Sequence, residues 1–343
     1  GAIARAVHAQ ISPVEEMQMA SSQSVNPQAY EAYLQGRYWA GKHGAENFRK
    51  AQSYFERAIA IDSTFEPAWS GLANIHTRQG YFFDELAPRL AQAEVAVRRA
   101  LEVDPQSSNA HAALGNIHTG RWQWSEAEAE IRRAIALEPS NAAAHLDYWR
   151  LLLRLRRFDE GLREIELARS FDPLSANIAA NYGFQLGLTK RFDEAFEQFR
   201  LAVEIDPDFT LVHSYAWVYE HQLHRDPQRS TELGLWLQAE GFDDLASDLD
   251  RRIASEGYDS GLRWIANRLD SLEEDPRVRV GLVAGLLACA GENDKAMRWL
   301  QKGYAAREWT MGWIATLPDF ESLHDRADFR ELVKRIGLPE ISD

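Results

Sequence analysis

The sequence predicts an all-α protein, a right-handed superhelical solenoid of stacked helix-turn-helix units closed by a C-terminal cap helix. Three observations predict it. Pro105, Pro139, Pro173 and Pro207 follow one another at 34-residue intervals, each directly after an acid: Asp104, Glu138, Asp172 or Asp206. Small residues keep the same register five positions earlier (Ala100, Ala134, Ala168, Ala202), and apolar ones eight positions earlier (Val97, Ile131, Ile165, Phe199). Between the prolines, apolar residues recur at helical spacing, as in Ala127, Ile131, Ala134 and Ile135. A fixed period of this length marks a repeat architecture, in which one unit cannot bury its apolar face alone and must stack on the next.

The units can be followed along the chain. The first uses Gly36, Trp39, Ala51, Phe55 and Ala58 and closes at Ile61-Asp62-Ser63, where serine takes the place of proline. The tetrapeptide Asn74-Ile75-His76-Thr77 returns as Asn116-Ile117-His118-Thr119, 42 residues on. That spacing is one period plus eight, which predicts an insertion around Tyr81, Phe82, Phe83 and Pro88, read as a surface excursion. In the regular units the acid-proline step ends one helix, because the residue before proline avoids the α region. Asn141 can cap the next, which carries His145, Tyr148, Trp149 and Leu152 on one face. After Pro207 the pattern weakens, although His213, Trp217 and Leu233 still fit one unit. The predicted division is a connector at 1–26, tandem repeats at 27–241, a degenerate helical stretch at 242–276, and a last repeat with its cap at 277–343.

Composition narrows the function. Lys and Arg total 38 against 52 Asp and Glu, a net charge of −14, which argues against direct nucleic-acid binding. No apolar run is long enough to span a membrane as a helix, and the single cysteine, Cys289, excludes an internal disulfide framework or a multi-cysteine zinc site. Gly41-Lys42-His43 lacks the spacing of a phosphate loop, and no dinucleotide fingerprint or nucleophile elbow is present. Glu220, His221 and His224 are the nearest grouping with metal-like spacing and read as structural or solvent-facing. His111, His145 and His213 align between repeats and read as packing, while Trp122 and Trp124 lie in a turn and read as exposed. No catalytic residue, metal or cofactor is expected, and the chain reads as a non-enzyme.

The pattern of Ala195, Phe199, Ala202 and Pro207, with Trp69, Leu72, Ala73 and His76 in a first helix, resembles the tetratricopeptide repeat. A narrower resemblance lies at the two ends. Ile3 to Val7, Ala29 to Tyr38 and Phe320 to Pro339 are similar to a bacterial arrangement in which such repeats form the C-terminal part of multidomain signalling proteins. In that family the N-terminal module is a winged-helix transcription factor, a serine/threonine kinase or a class III nucleotide cyclase. A small domain similar to the N-terminal domain of TolB commonly precedes the repeats. The resemblance implies a scaffold for protein-protein interaction in signal transduction or transcription regulation. It also makes Gly1 an expression scar, residues 2–26 the end of the preceding domain plus a connector, and the chain a fragment. The compartment stays open between the cytoplasm and the space beyond the cytoplasmic membrane.

Opposite the packing face of each first helix runs a stripe that stacking turns into a concave groove. It carries Asn74, Arg78, Asn116, Arg150, Arg154, Asn177 and Phe184, with Asn181 beside them, and reads as free of carboxylates. Amides can pair with an extended backbone and arginine can clamp a carboxylate, so the expected partner is a protein or peptide segment, acidic or carboxylate-bearing. Two well-known peptide-binding repeat proteins hold a terminal carboxylate with lysine and asparagine. Asn74 and Asn116 suit that role, but no lysine accompanies them, and the clamp is not carried over. Arg150 and Arg154 read as outside the packing positions. The competing readings are a solvated polar face, a self-association arm forming a homodimer around Tyr81, Phe82 and Phe83, and an enzyme with an unrecognised site in 229–276.

Overall fold

In a computed structural model of the chain, residues 26–42, 44–82, 85–224, 228–275 and 277–341 are described, so residues 1–25 of the predicted connector lie outside them. Helix pairs run α1 (Pro27–Gly41) and α2 (Ala45–Ile61), α3 (Glu66–Phe82) and α4 (Leu86–Val103), α5 (Ser108–Gly120) and α6 (Trp124–Leu137). They continue as α7 (Ala142–Arg154) and α8 (Phe158–Phe171), α9 (Ala176–Leu188) and α10 (Phe192–Ile205), α11 (Leu211–Gln222) and α12 (Gln228–Ala239). The stretch without a clear repeat signature forms α13 (Asp243–Glu256) and α14 (Tyr258–Asp270), followed by the pair α15 (Val280–Cys289) and α16 (Asn293–Ala306). Two short 3-10 turns, Trp309–Gly312 and Pro318–Leu323, lead to the cap α17 (Ala327–Ile336). No strand occurs among the described residues, and the architecture is a helical solenoid with tetratricopeptide spacing.

The 34-residue chemistry does what its positions require. Asp104, Glu138, Asp172 and Asp206 are the C-caps of α4, α6, α8 and α10. Ser107, Asn141 and Ser175, also 34 apart, N-cap α5, α7 and α9, accepting from the N–H groups of Ala110, Ala144 and Ile178 at 3.1, 3.1 and 3.3 Å. Each satisfies a donor that a helix start leaves orphaned.

Within a pair, a small residue on one helix receives a large one from the other. A Cβ on Gly183 would stand 2.6 Å from the Phe199 ring, and one on Gly115 would stand 2.5 Å from Ile131. Midway between these glycines the same register holds Trp149, fully buried. The space for it comes from α8, where Gly161 stands in the register of Ala127 and Ala195. The close approach is therefore kept while the small partner changes sides.

In the third to sixth pairs the turn between the helices is a left-handed residue that ends the first helix. Trp122, Arg156, Lys190 and His224 have φ of 59°, 57°, 62° and 50° and are again 34 residues apart. In the first three the next N–H reaches back five residues, Gln123 to His118 at 3.0 Å, Arg157 to Leu152 at 2.8 Å and Arg191 to Leu186 at 2.9 Å. This is the Schellman closure normally given to glycine, here built from residues for which left-handed backbone costs about 1–2 kcal/mol.

Two expectations are corrected by packing. The eight extra residues lengthen α3 and α4 to 17 and 18 residues instead of forming a surface excursion. Tyr81 and Phe82 are half-buried: the Tyr81 hydroxyl donates to the Asn116 carbonyl at 2.8 Å, and the Phe82 ring lies 5.3 Å from Trp309. Phe83 lies outside the described residues. Trp122 and Trp124 are likewise half-buried, Trp122 stacking on Tyr304 at 5.5 Å and Trp124 Nε1 donating to the Ile336 carbonyl at 3.1 Å.

Those contacts belong to a seam where the solenoid closes on itself. The Arg156 guanidinium donates to the Ala315 carbonyl at 2.6 Å, and the Thr316 hydroxyl donates to the Leu153 carbonyl at 2.8 Å. At the other end Lys42, after α1, pairs with Asp206, after α10, at 3.1 Å. The last unit thus touches the turns of the third and fourth pairs, and the first pair touches the turn after the fifth.

Substituting the close-approach glycine tests this packing. Gly183→Val is expected to cost about 1–3 kcal/mol in chemical denaturation, since the Phe199 ring must leave its rotamer. Gly41→Ala, with nothing within 4 Å of the added carbon, should leave stability unchanged or slightly higher.

Candidate functional site

Helices α3, α5, α7, α9 and α11 line the inside of the coil, and their inward side chains form one polar network. Asn116 Nδ2 donates to Asp147 Oδ2 at 2.7 Å, and Arg150 Nη1 donates to Asp147 Oδ1 at 2.9 Å. Arg150 Nη2 continues to Asn177 Oδ1 at 3.3 Å, which also accepts from Asn181 Nδ2 at 2.8 Å. The Tyr215 hydroxyl then reaches Asn181 Oδ1 at 3.4 Å. Four consecutive first helices are thereby linked through side chains. The expectation of a carboxylate-free stripe is corrected here: Asp147, 6% exposed, is the centre of the network. Its spacing of three from Arg150 on one helix is the signal that sequence reading missed, together with Tyr81 and Tyr215.

The arginines sit in a desolvated interior. Arg78 Nη1 donates to the Ala40 carbonyl at 2.5 Å, with its Cζ 4.3 Å above the Phe48 ring. Arg154 Nη1 donates to the Arg150 carbonyl at 3.2 Å, with its Cζ 4.0 Å above the Trp313 ring. Among the described residues neither guanidinium has a carboxylate partner. Burial, reinforced by the charge of Arg150, pushes Arg78 down to about 10, and burial does the same to Arg154, so both stay protonated at neutral pH. Burial also raises the Asp147 carboxyl against the pull of Arg150 and Asn116, and takes the Tyr81 and Tyr215 hydroxyls up to about 12.

Not every sequence-derived site residue faces the groove. Asn74, Arg78, Asn116, Arg150 and Asn177 are partly exposed along it. Asn181 is 3% exposed and braces Asn177, donating to that residue's own carbonyl at 2.7 Å. Phe184 is 2% exposed, with its ring 4.7 Å from Tyr215 and 5.8 Å from Tyr219, which makes it core. Arg154, 5% exposed beneath Trp313, is a packing residue, contrary to its expected place outside the packing positions.

The aligned histidines form a ladder on the outer side of these helices. His111, His145 and His213 each place Nδ1 against a glutamate of the following helix, at 2.6 Å to Glu130, 2.6 Å to Glu164 and 2.8 Å to Glu232. Where the register reaches Ala179 the carboxylate is also gone, replaced by Gln198. Burial lowers the His145 imidazole, but its bonds to Glu164 and the Pro139 carbonyl outweigh that and raise it. The His221 ring lies 3.2 Å from the Tyr258 hydroxyl, and no set of three or more metal-ligating side chains exists among the described residues.

No protein-family model and no curated protein matches the sequence. Solved structures with similar helical courses include pilF of Pseudomonas aeruginosa, at 21% identity over 63% of this chain and 95% of that one, with a TM-score of 0.47. TTC0263, a thermophilic TPR protein of Thermus thermophilus, shares 16% identity over 57% of this chain and all of its own, at 0.45. The Cut9-Hcn1 hetero-tetramer of the APC/C shares 17% over 73% of this chain and 50% of that one, at 0.49. A likeness of this degree concerns the backbone course alone.

Asp147→Ala should destabilise the protein by about 1–3 kcal/mol in urea, since Arg150 loses its counter-charge but keeps access to water, whereas Asn116→Ala should cost about 1 kcal/mol. For His145 the folded value is raised, so its stabilisation is fully present below the unfolded value, about 6.5, and is lost as pH rises through the folded one. The stability difference between the wild type and His145→Ala is therefore expected to be larger at pH 5.5 than at pH 8.5.

Proposed function

We propose that this chain is a non-catalytic scaffold that takes a carboxylate-bearing protein segment along its concave face. Arg78 and Arg150 would supply the charge, Asn74, Asn116 and Asn177 would hold the segment's backbone, and Arg154 would reinforce the field from below. The observation that carries this reading is the charge balance. Arg150 pairs with Asp147, while Arg78 and Arg154 have no carboxylate partner among the described residues, inside a molecule whose net charge is −14. Positive charge focused in a low-dielectric concavity attracts an anion even when the whole molecule repels it. The partly exposed amides beside it have the donor and acceptor pairs an extended backbone needs. A place for this scaffold in a bacterial signalling or transcription-regulating protein is supported by the resemblance of its two ends.

Fluorescein-labelled nonapeptides of mixed Asp and Glu, read by anisotropy against a basic set of the same length, test the proposal. Binding should be confined to the acidic set and weaken as salt is raised from 50 to 300 mM. Arg150→Ala should weaken it by about tenfold, the equivalent of 1.4 kcal/mol. Equal affinity for the two sets, or an Arg150→Ala variant that binds as the wild type does, would remove the concave face from the mechanism.

A further inference from the structure

The homodimer alternative placed its contact at Tyr81, Phe82 and Phe83; the first two are half-buried, against Asn116 and Trp309, and Phe83 lies outside the described residues. A different apolar stripe remains exposed. On α1, Ala29, Ala32 and Gly36 turn inward, with Gly36 closed by the Phe55 ring. The outer side carries Tyr30, Leu34 and Tyr38, exposed by 37%, 40% and 58%. The three lie along one side of the helix between the exposed polar residues Glu31 and Arg37, an apolar stripe with a polar rim, the arrangement an interaction surface has.

The stripe is complementary to itself. Tyr30, Leu34 and Tyr38 are spaced by four, so Leu34 is central. At 100° per residue, Glu31 flanks Leu34 on the side of Tyr38, and Arg37 flanks it on the side of Tyr30; both are exposed. A two-fold axis through Leu34 that pairs two such helices antiparallel keeps each flank on its own side and reverses the chain direction. Glu31 then comes level with Tyr38 of the second copy, a carboxylate opposite a phenol that can donate to it. Tyr30 comes level with Arg37 of the second copy, a ring opposite a guanidinium. Arg37 already lies 5.9 Å above the Tyr33 ring, so its rotamer points toward aromatic neighbours.

We propose that α1 is a homodimer interface, in which a second copy of this chain packs antiparallel across Leu34 with Glu31–Tyr38 and Arg37–Tyr30 contacts on either side. From Tyr30 to Tyr38 the stripe is about 12 Å long at 1.5 Å per residue, shorter than the interfaces of permanent dimers need. The association is therefore a weak, concentration-dependent one.

Sedimentation velocity on the full chain from 1 to 200 µM should show a monomer–dimer equilibrium in the micromolar range. Leu34→Glu, which sets two like charges on the axis, should raise the dimer Kd at least tenfold with an unchanged far-UV spectrum. Leu34→Cys should cross-link to itself under mild oxidation, because only a residue on the axis meets its own copy. Gln35→Cys, turned away from the axis, should not, with the wild type and its Cys289 as background. A monomer at every concentration overturns the proposal, whatever else covers the stripe. So does a dimer that Leu34→Glu leaves intact, or a Gln35→Cys variant that cross-links as readily as Leu34→Cys.

Discussion

The Trp313 ring over the Arg154 guanidinium is the contact on which the interior of this molecule depends. It brings the last unit onto the fourth helix pair and encloses the charged end of the concave stripe. A cation over an aromatic face is worth about 2 kcal/mol or more once desolvated, and the bonds around it add about 1 kcal/mol each. These are Thr316 to Leu153 and Arg156 to Ala315, with Trp122 stacked on Tyr304 beyond them. Trp122 meets this stack from a left-handed backbone that a large side chain adopts only at a cost. The seam and the turn geometry therefore support one another.

Closure sets the electrostatics. Guanidinium does not release its proton at physiological pH, so three arginines brought to one interior impose a positive field that Asp147 offsets in part. Asn116, Asn177 and Asn181 spread that charge over the side chains of consecutive units, tying the separate helices into one bonded surface. An interior with more guanidinium than carboxylate charge is costly to hold. The His–Glu ladder on the outer side adds stiffness of a different kind, strapping each first helix to its second in three of the units.

Most of the fold was legible because its causes are local. Acid-proline steps, the Asn141 cap and the small and apolar register of Ala202 and Phe199 act within one repeat, and each leaves a residue type at a fixed position. The seam was not legible, since Trp313 and Arg154 are separated by more than four units and no periodicity links them. The intra-pair turns were hidden for a simpler reason: Trp122, Arg156 and Lys190 stand where glycine would announce a left-handed residue. At the candidate site, helical phase found the stripe but not its depth. Phase cannot separate Asn177, partly exposed, from Asn181 and Phe184 one and two turns further along, because burial there comes from Tyr215 on a later helix. Asp147 left one signal, its spacing of three from Arg150 on the same helix, while its bond to Asn116 comes from another helix and leaves none.

A double-mutant cycle between Arg154→Met and Trp313→Leu, read by urea denaturation, measures the closure directly. If the last unit packs on the fourth pair through these two side chains, the cycle should give a coupling of about 2 kcal/mol. Effects that add to within about 0.3 kcal/mol would mean that the two residues do not meet in solution, and would leave the concave face open at that end.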